Sequence, residues 1–126
     1  MNLTPGARAS RLVMVERSDT AIKAGSGDVP VLATPRLLAL AEGLTMQLAR
    51  EGIGEAETSV GTKASLEHRA ASPIGAHVQI DAELTEVDGR RLVFEVTASW
   101  DGTTLFTATL ERVVVDRARF LSRLSR

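Results

Sequence analysis

Three side chains in this sequence have the types and spacing to move a proton at neutral pH: Thr34, Glu42 and His68. Glu42 is the only charged residue between Arg36 and Arg50, within the run TPRLLALAEGLTMQLARE (34–51). A helix that is apolar nearly all round is normally buried, and a buried carboxylate is costly unless something pairs with it or uses it. An imidazole beside it would complete an acid–base pair suited to work near pH 7. Of the two histidines, His77 alternates with Gln79 and Asp81 and is expected in solvent. His68 shares a strand face with Val60, Thr62, Ala64 and Leu66, the face that should meet the helix. A His68–Glu42 pair is one expectation. The other is that His68 only hydrogen-bonds near a sheet edge while Glu42 satisfies a backbone group.

Thr34 also has two readings. It is a natural N-cap ahead of Pro35, and it is a hydroxyl placed where helix amides favour developing negative charge, so it could attack or orient a nucleophile. Eight residues separate Thr34 from Glu42, which is about 12 Å along a helix axis. If both act, His68 or the reacting group must bridge them. Gly61 interrupts a strand pattern. It marks either a bulge that could aim backbone N–H groups at a substrate oxygen, or a glycine merely tolerated in a twisted strand.

The elements that must position these groups follow from hydrophobic period. SRLVMVER (10–17) suits a short first strand, and SDTAIKAGSGDVP (18–30) reads as a loop longer than most connections, a length that is often functional. At about 100° per residue, Leu37, Leu38, Leu40, Ala41, Leu44, Thr45 and Leu48 share one helix face. Glu42 lies on its flank, and Gly52 is expected to cap the end. From Glu55 the period becomes two. Strands are expected over 58–70, 76–87, 91–100 and 103–116, with tight hairpins at Asp88-Gly89 and Asp101-Gly102. Short turns force antiparallel pairing, and one dry face calls for one helix to cover it. The expected fold is α+β: an antiparallel five-stranded sheet wrapped around one long central helix, the hotdog arrangement. RARFLSRLSR (117–126) reads as a short basic tail or helix.

Composition removes other classes. At 126 residues with a net charge of −1 and no block of like charge, the chain is expected to be one domain (1–126) with no nucleic-acid role. Trp100 and three phenylalanines give no stacking platform. Without cysteine there is no disulfide, thiolate nucleophile or thiolate metal site, and two isolated histidines do not make a metal centre. No cofactor is expected. Nor is a signal peptide or membrane span, so the expected location is the cytoplasm.

VLATPRLLALAEG (31–43), GIGEAETSVGTKASLEHRAASPIG (52–75) and TLERVVVD (109–116) together resemble the hotdog thioesterases related to fluoroacetyl-CoA thioesterase. The resemblance runs from about Val29 to Phe120. It implies hydrolysis of an acyl-CoA substrate, with Thr34, Glu42 and His68 catalytic, Gly61 positioning the thioester and Arg112 at a substrate-binding position. It also implies a homodimer with its site at the subunit interface, and leaves open whether dimers pair into a tetramer. The fluoroacetyl-specific enzyme carries phenylalanines before its catalytic threonine, whereas GSGDVPVLA (25–33) has no aromatic residue. The resemblance therefore extends to the catalytic frame and not to the fluoroacetyl group. Two other functions remain open on the residues: a hotdog hydratase or dehydratase, which needs no nucleophile, and an acyl-CoA-binding protein without catalysis.

Overall fold

The computed structural model describes residues 1–125. Five strands, β1 (Arg8–Met14), β2 (Glu57–His68), β3 (His77–Asp88), β4 (Arg91–Trp100) and β5 (Thr103–Asp116), form one antiparallel sheet in the order β1-β3-β4-β5-β2. The short helix α1 (Ala21–Ala24) and the long helix α2 (Thr34–Arg50) lie between β1 and β2, and α3 (Arg117–Ser122) follows β5. This is the hotdog architecture.

Alternation along the strands explains the core. Val78, Ile80, Ala82 and Leu84 of β3, Leu92, Phe94, Val96 and Ala98 of β4, and Phe106, Ala108, Leu110 and Val114 of β5 are buried. Onto this face α2 lays Leu37, Leu40, Ala41, Leu44, Thr45, Leu48 and Ala49, all buried. Leu38 and Glu42 flank the stripe, half-buried. The Asp101-Gly102 hairpin forms with both residues at positive φ, 51° and 74°, the combination a two-residue turn needs to match strand twist.

Four local expectations change. The first strand runs Arg8–Met14, starting and ending earlier than 10–17; just past its end the Val15 N–H still bonds Ala76 O at 2.8 Å, before the 3-10 turn begins at Arg17. The 18–30 segment is not plain loop: a 3-10 turn spans Arg17–Asp19 and α1 follows. Gly52 does not cap α2, whose C-cap is Glu51. Gly52 is instead required because the N-terminal segment packs on it: a Cβ there would collide with the Leu3 side chain and come within 2.6 Å of Asn2 O.

The fourth concerns β2. Its pairing with β5 runs Gly61↔Arg112 and then Lys63↔Glu111, leaving Thr62 as an extra, bulged residue. A bulge inverts the alternation beyond it. Ser59 and Gly61 therefore lie opposite the inward-facing Val114 and Arg112, while Ala64, Leu66 and His68 lie opposite Leu110, Ala108 and Phe106. Val60 and Thr62, expected inward, face out.

β1 and β2 are the two sheet edges, and Gly61–Ser65 of β2 is exposed along its whole length. Among the described residues, no helix is long and apolar enough to cross a membrane.

Candidate active site

Thr34 opens α2, but the cap position belongs to Ala33, and the Thr34 hydroxyl makes no capping bond. It lies 2.6 Å from Nδ1 of His68, the last residue of β2. The segment before α2 is fixed by Asp19, which is 6% exposed. Its carboxylate accepts from the Glu16 N–H at 2.8 Å and from Nε of Arg36 at 2.8 Å, and its carbonyl accepts the Ala33 N–H at 2.9 Å. Asp19 and Arg36 were not singled out in the sequence, where a lone Asp–Arg pair 17 residues apart carries no signal.

With the Thr34 hydroxyl donating to Nδ1, His68 carries its ring proton on Nε2. That nitrogen is buried and has no hydrogen-bond partner in the protomer. The ring packs edge-on to Phe106, with centroids 6.4 Å apart. Burial pushes the His68 pKa below its ordinary value, with a smaller opposing pull from the Ala70 backbone. At neutral pH the imidazole is therefore uncharged and able to accept a proton. A cavity of about 270 Å³ opens beside this pair, walled by Ala21, Ser26, Val31, Leu32, Ala70 and Ala71.

Glu42, Gly61 and Arg112 meet elsewhere. A Cβ on Gly61 would lie 2.7 Å from Oε2 of Glu42 and 3.8 Å from Nη1 of Arg112. The carboxylate thus occupies the space a side chain would fill. Arg112 is 7% exposed. Its Nε donates to Ser59 Oγ at 2.8 Å and its Nη2 to Ser59 O at 2.9 Å, which turns Nη1 toward Gly61. Burial pulls the guanidinium pKa down, and the nearby Glu42 carboxylate pushes it back up. Ser59, like Asp19 and Arg36, was missed in the sequence, because the bulge places it on the face the unbroken alternation assigned to solvent.

One protomer therefore holds two half-sites. Along α2, positions 34 and 42 are about 12 Å apart. Along β2, Gly61 and His68 are seven residues apart, roughly 20 Å at about 3.3 Å per residue. The expected His68–Glu42 pair does not form within one chain. Among the described residues, no cluster of His, Asp or Glu could hold a metal ion.

Residues 15–118 match the family described as fluoroacetyl-CoA-specific thioesterase. A fluoroacetyl-CoA thioesterase from Streptantibioticus cattleyicolor is 33% identical over 90 residues, 71% of this chain; the match spans 65% of that relative, just under two thirds of its length. A structure of the fluoroacetyl-CoA thioesterase FlK superposes with a TM-score of 0.91 at 27% identity, covering 98% of this chain and 96% of that one. A variant of that enzyme in complex with fluoroacetate and CoA superposes with a TM-score of 0.87 at 28% identity, covering 94% and 99%. A thioesterase superfamily member from Thermus thermophilus, 20% identical with a TM-score of 0.88 and coverage of 96% and 90%, shares the fold.

Proposed function

The chain belongs to the fluoroacetyl-CoA-specific thioesterase family, and from that premise we propose that it hydrolyses an acyl-CoA thioester to free acid and CoA. The observation that carries the reading is the Thr34–His68 hydrogen bond with a neutral, half-spent imidazole. His68 takes the Thr34 proton as the hydroxyl oxygen attacks the thioester carbon, and a water later hydrolyses the acyl-Thr34 ester to free acid. In the alternative route the attacking water gives its proton to Thr34 as Thr34 passes its own to His68. The C–S bond breaks and the sulfur leaves with a proton returned by His68. A burst of CoA in the first turnover separates the two routes. It accompanies an acyl-Thr34 ester and is absent for direct hydrolysis.

The site is completed by a second copy of the chain. The His68 Nε2–H lacks an acceptor, and no hydrogen bond engages the Glu42 carboxylate among the described residues. The exposed β2 edge is the surface that can bring them together, since unpaired strand edges pair readily. An antiparallel β2–β2 pair with its twofold axis at Ser65 opposes Ala64 to Leu66 and, past the bulged Thr62, sets Gly61 opposite the partner's His68. The carboxylate beside Gly61 then accepts from that imidazole and stabilises it as it charges. Arg112 Nη1 and the Gly61 backbone are left to hold the thioester carbonyl. The functional unit is thus a homodimer with two composite sites, working in the cytoplasm, to which the cysteine-free composition is suited.

The test is thiol release from a panel of acyl-CoA thioesters, with Glu42→Gln and His68→Ala alongside the unaltered protein. Hydrolysis of at least one member, lost in both variants, is expected. Binding without CoA release would make the chain an acyl-CoA-binding protein. Full activity in both variants would remove the site assignment while leaving the activity.

A further inference from the structure

The cavity beside Thr34 and His68 is larger than the bond-breaking step needs. It measures about 270 Å³, and its walls are Ala21, Ser26, Val31, Leu32, Ala70 and Ala71. Hydrolysis involves only the thioester carbon, oxygen and sulfur, so the remaining space is left to the acyl group. We propose that the cavity selects a saturated hydrocarbon acyl chain of about four to six carbons over an acetyl-sized or a charged one, with Ala71 and Ser26 setting the length limit. The proposal rests on the thioesterase reading above.

Volume gives the size. A methylene takes roughly the 30 Å³ of a water molecule in the liquid, so about four to six carbons fill about half to two thirds of the cavity and leave its mouth to the thioester. An acetyl group would leave most of the wall without contacts. The walls do not close in on a smaller group, because backbone hydrogen bonds fix them. The Ala21 N–H donates to Val31 O at 2.8 Å, the Ser26 N–H to Ala21 O at 3.0 Å and the Leu32 N–H to Ser72 O at 3.0 Å. The loop after α1 is already packed closely on it: a Cβ on Gly27 would lie 3.2 Å from Ala21 Cβ.

Chemistry gives the character. Apart from Ser26, which is uncharged, the walls are alanine, valine and leucine. Arg69 also touches the lining, but its side chain is 55% exposed and its Nε donates to Glu67 at 2.9 Å. A carboxylate at the end of an acyl chain would therefore leave water for an apolar space, which is costly. Among the described residues no Phe, Tyr or Trp lines the cavity, so no ring narrows it to the size of an acetyl or fluoroacetyl group. Ala71 and Ser26 lie outside the helices and strands and are exposed, so bulk added at either enters the cavity and not the core.

The experiment measures kcat/KM for acetyl-, fluoroacetyl-, butanoyl-, pentanoyl-, hexanoyl-, octanoyl-, decanoyl- and glutaryl-CoA, on the intact protein and on Ala71→Leu and Ser26→Leu. We expect a rise of about fourfold per methylene from acetyl-CoA to an optimum between butanoyl- and hexanoyl-CoA. Glutaryl-CoA, which ends in a carboxylate, should be at least roughly tenfold poorer than pentanoyl-CoA. Each variant, with its fold checked by circular dichroism, should lower the ratio of hexanoyl to acetyl activity roughly tenfold. An optimum at acetyl-, fluoroacetyl-, octanoyl- or decanoyl-CoA, a flat profile, glutaryl-CoA equal to pentanoyl-CoA, or a ratio unmoved in both variants overturns the selection and leaves the thioesterase reading standing. If no thioester is hydrolysed, the thioesterase reading fails. The cavity is then judged by calorimetric binding of the same series: affinity that peaks between butanoyl- and hexanoyl-CoA, and loses that peak in the variants, supports it, and affinity independent of chain length or absent overturns it.

Discussion

Mixing two dead variants should restore activity. Glu42→Gln removes the charge from one half-site, and His68→Ala removes the base from the other. In a composite site, the imidazole of one protomer works with the partner's Glu42. A dimer holding one Glu42→Gln chain and one His68→Ala chain then has one site with both defects and one with neither. Random exchange makes about half of all dimers mixed, each with one intact site of two, so the mixture should regain about a quarter of the unaltered activity. If both groups came from the same chain, every site would carry a defect and nothing would return. The distances favour the first outcome, since about 12 Å of helix separates position 34 from 42 and roughly 20 Å of strand separates position 61 from 68. The assay is thiol release after the variants are unfolded together and refolded, with native mass spectrometry to confirm mixed dimers. Mixed dimers at the expected fraction with no recovered activity would refute the composite site.

Other outcomes follow from single features. Gly61→Ala puts a Cβ 2.7 Å from Oε2 of Glu42, so the carboxylate must move; kcat/KM should fall on the order of 10²-fold with the fold intact by circular dichroism. Burial lowers the His68 pKa from 6.5 within one protomer, whereas pairing with the partner's Glu42 raises it. The acidic limb of kcat/KM should lie below pH 6.5 where burial dominates, and Glu42→Gln should move the limb of its residual activity further down. The burial shift favours the neutral ring in the folded state: its stabilising effect is complete above 6.5 and is lost as pH falls through that value toward the folded pKa, which thermal melts across this window will read. Asp19→Ala removes two hydrogen bonds to a buried carboxylate, with Arg36 left partly in solvent. It should cost about 1–2 kcal/mol in denaturant unfolding and reduce kcat by loosening the approach to Thr34.

The sheet and the central helix were legible because both rest on hydrophobic period, which alternation and the 37–48 stripe state plainly. So was Gly61 as an irregularity. What could not be read was the sense of that irregularity. A glycine announces a bulge but does not say that the next residue, Thr62, is the extra one, and so Ser59 stayed hidden. Thr34 and Gly52 show a second limit. Both are residue types that cap helices, yet the Thr34 hydroxyl is claimed by an imidazole 34 residues away, and Gly52 is claimed by the N-terminal segment. Local preference cannot foresee a distant competitor for the same atom. The division of the site into halves was beyond sequence too, because strand face reports which side His68 takes and not how far along the strand it lies from Glu42.

The bulge at Thr62 acts in space as a frameshift acts in a message. Were Thr62 drawn into regular pairing instead, the strand from Lys63 onward would keep its register to β5 and its hold on His68, while everything before it turned over. Thr62 would then oppose Arg112, Val60 would oppose Val114, and Ser59 would point into solvent. Losing the bulge while keeping its residue would leave every site residue present in the sequence and half of them facing the wrong way.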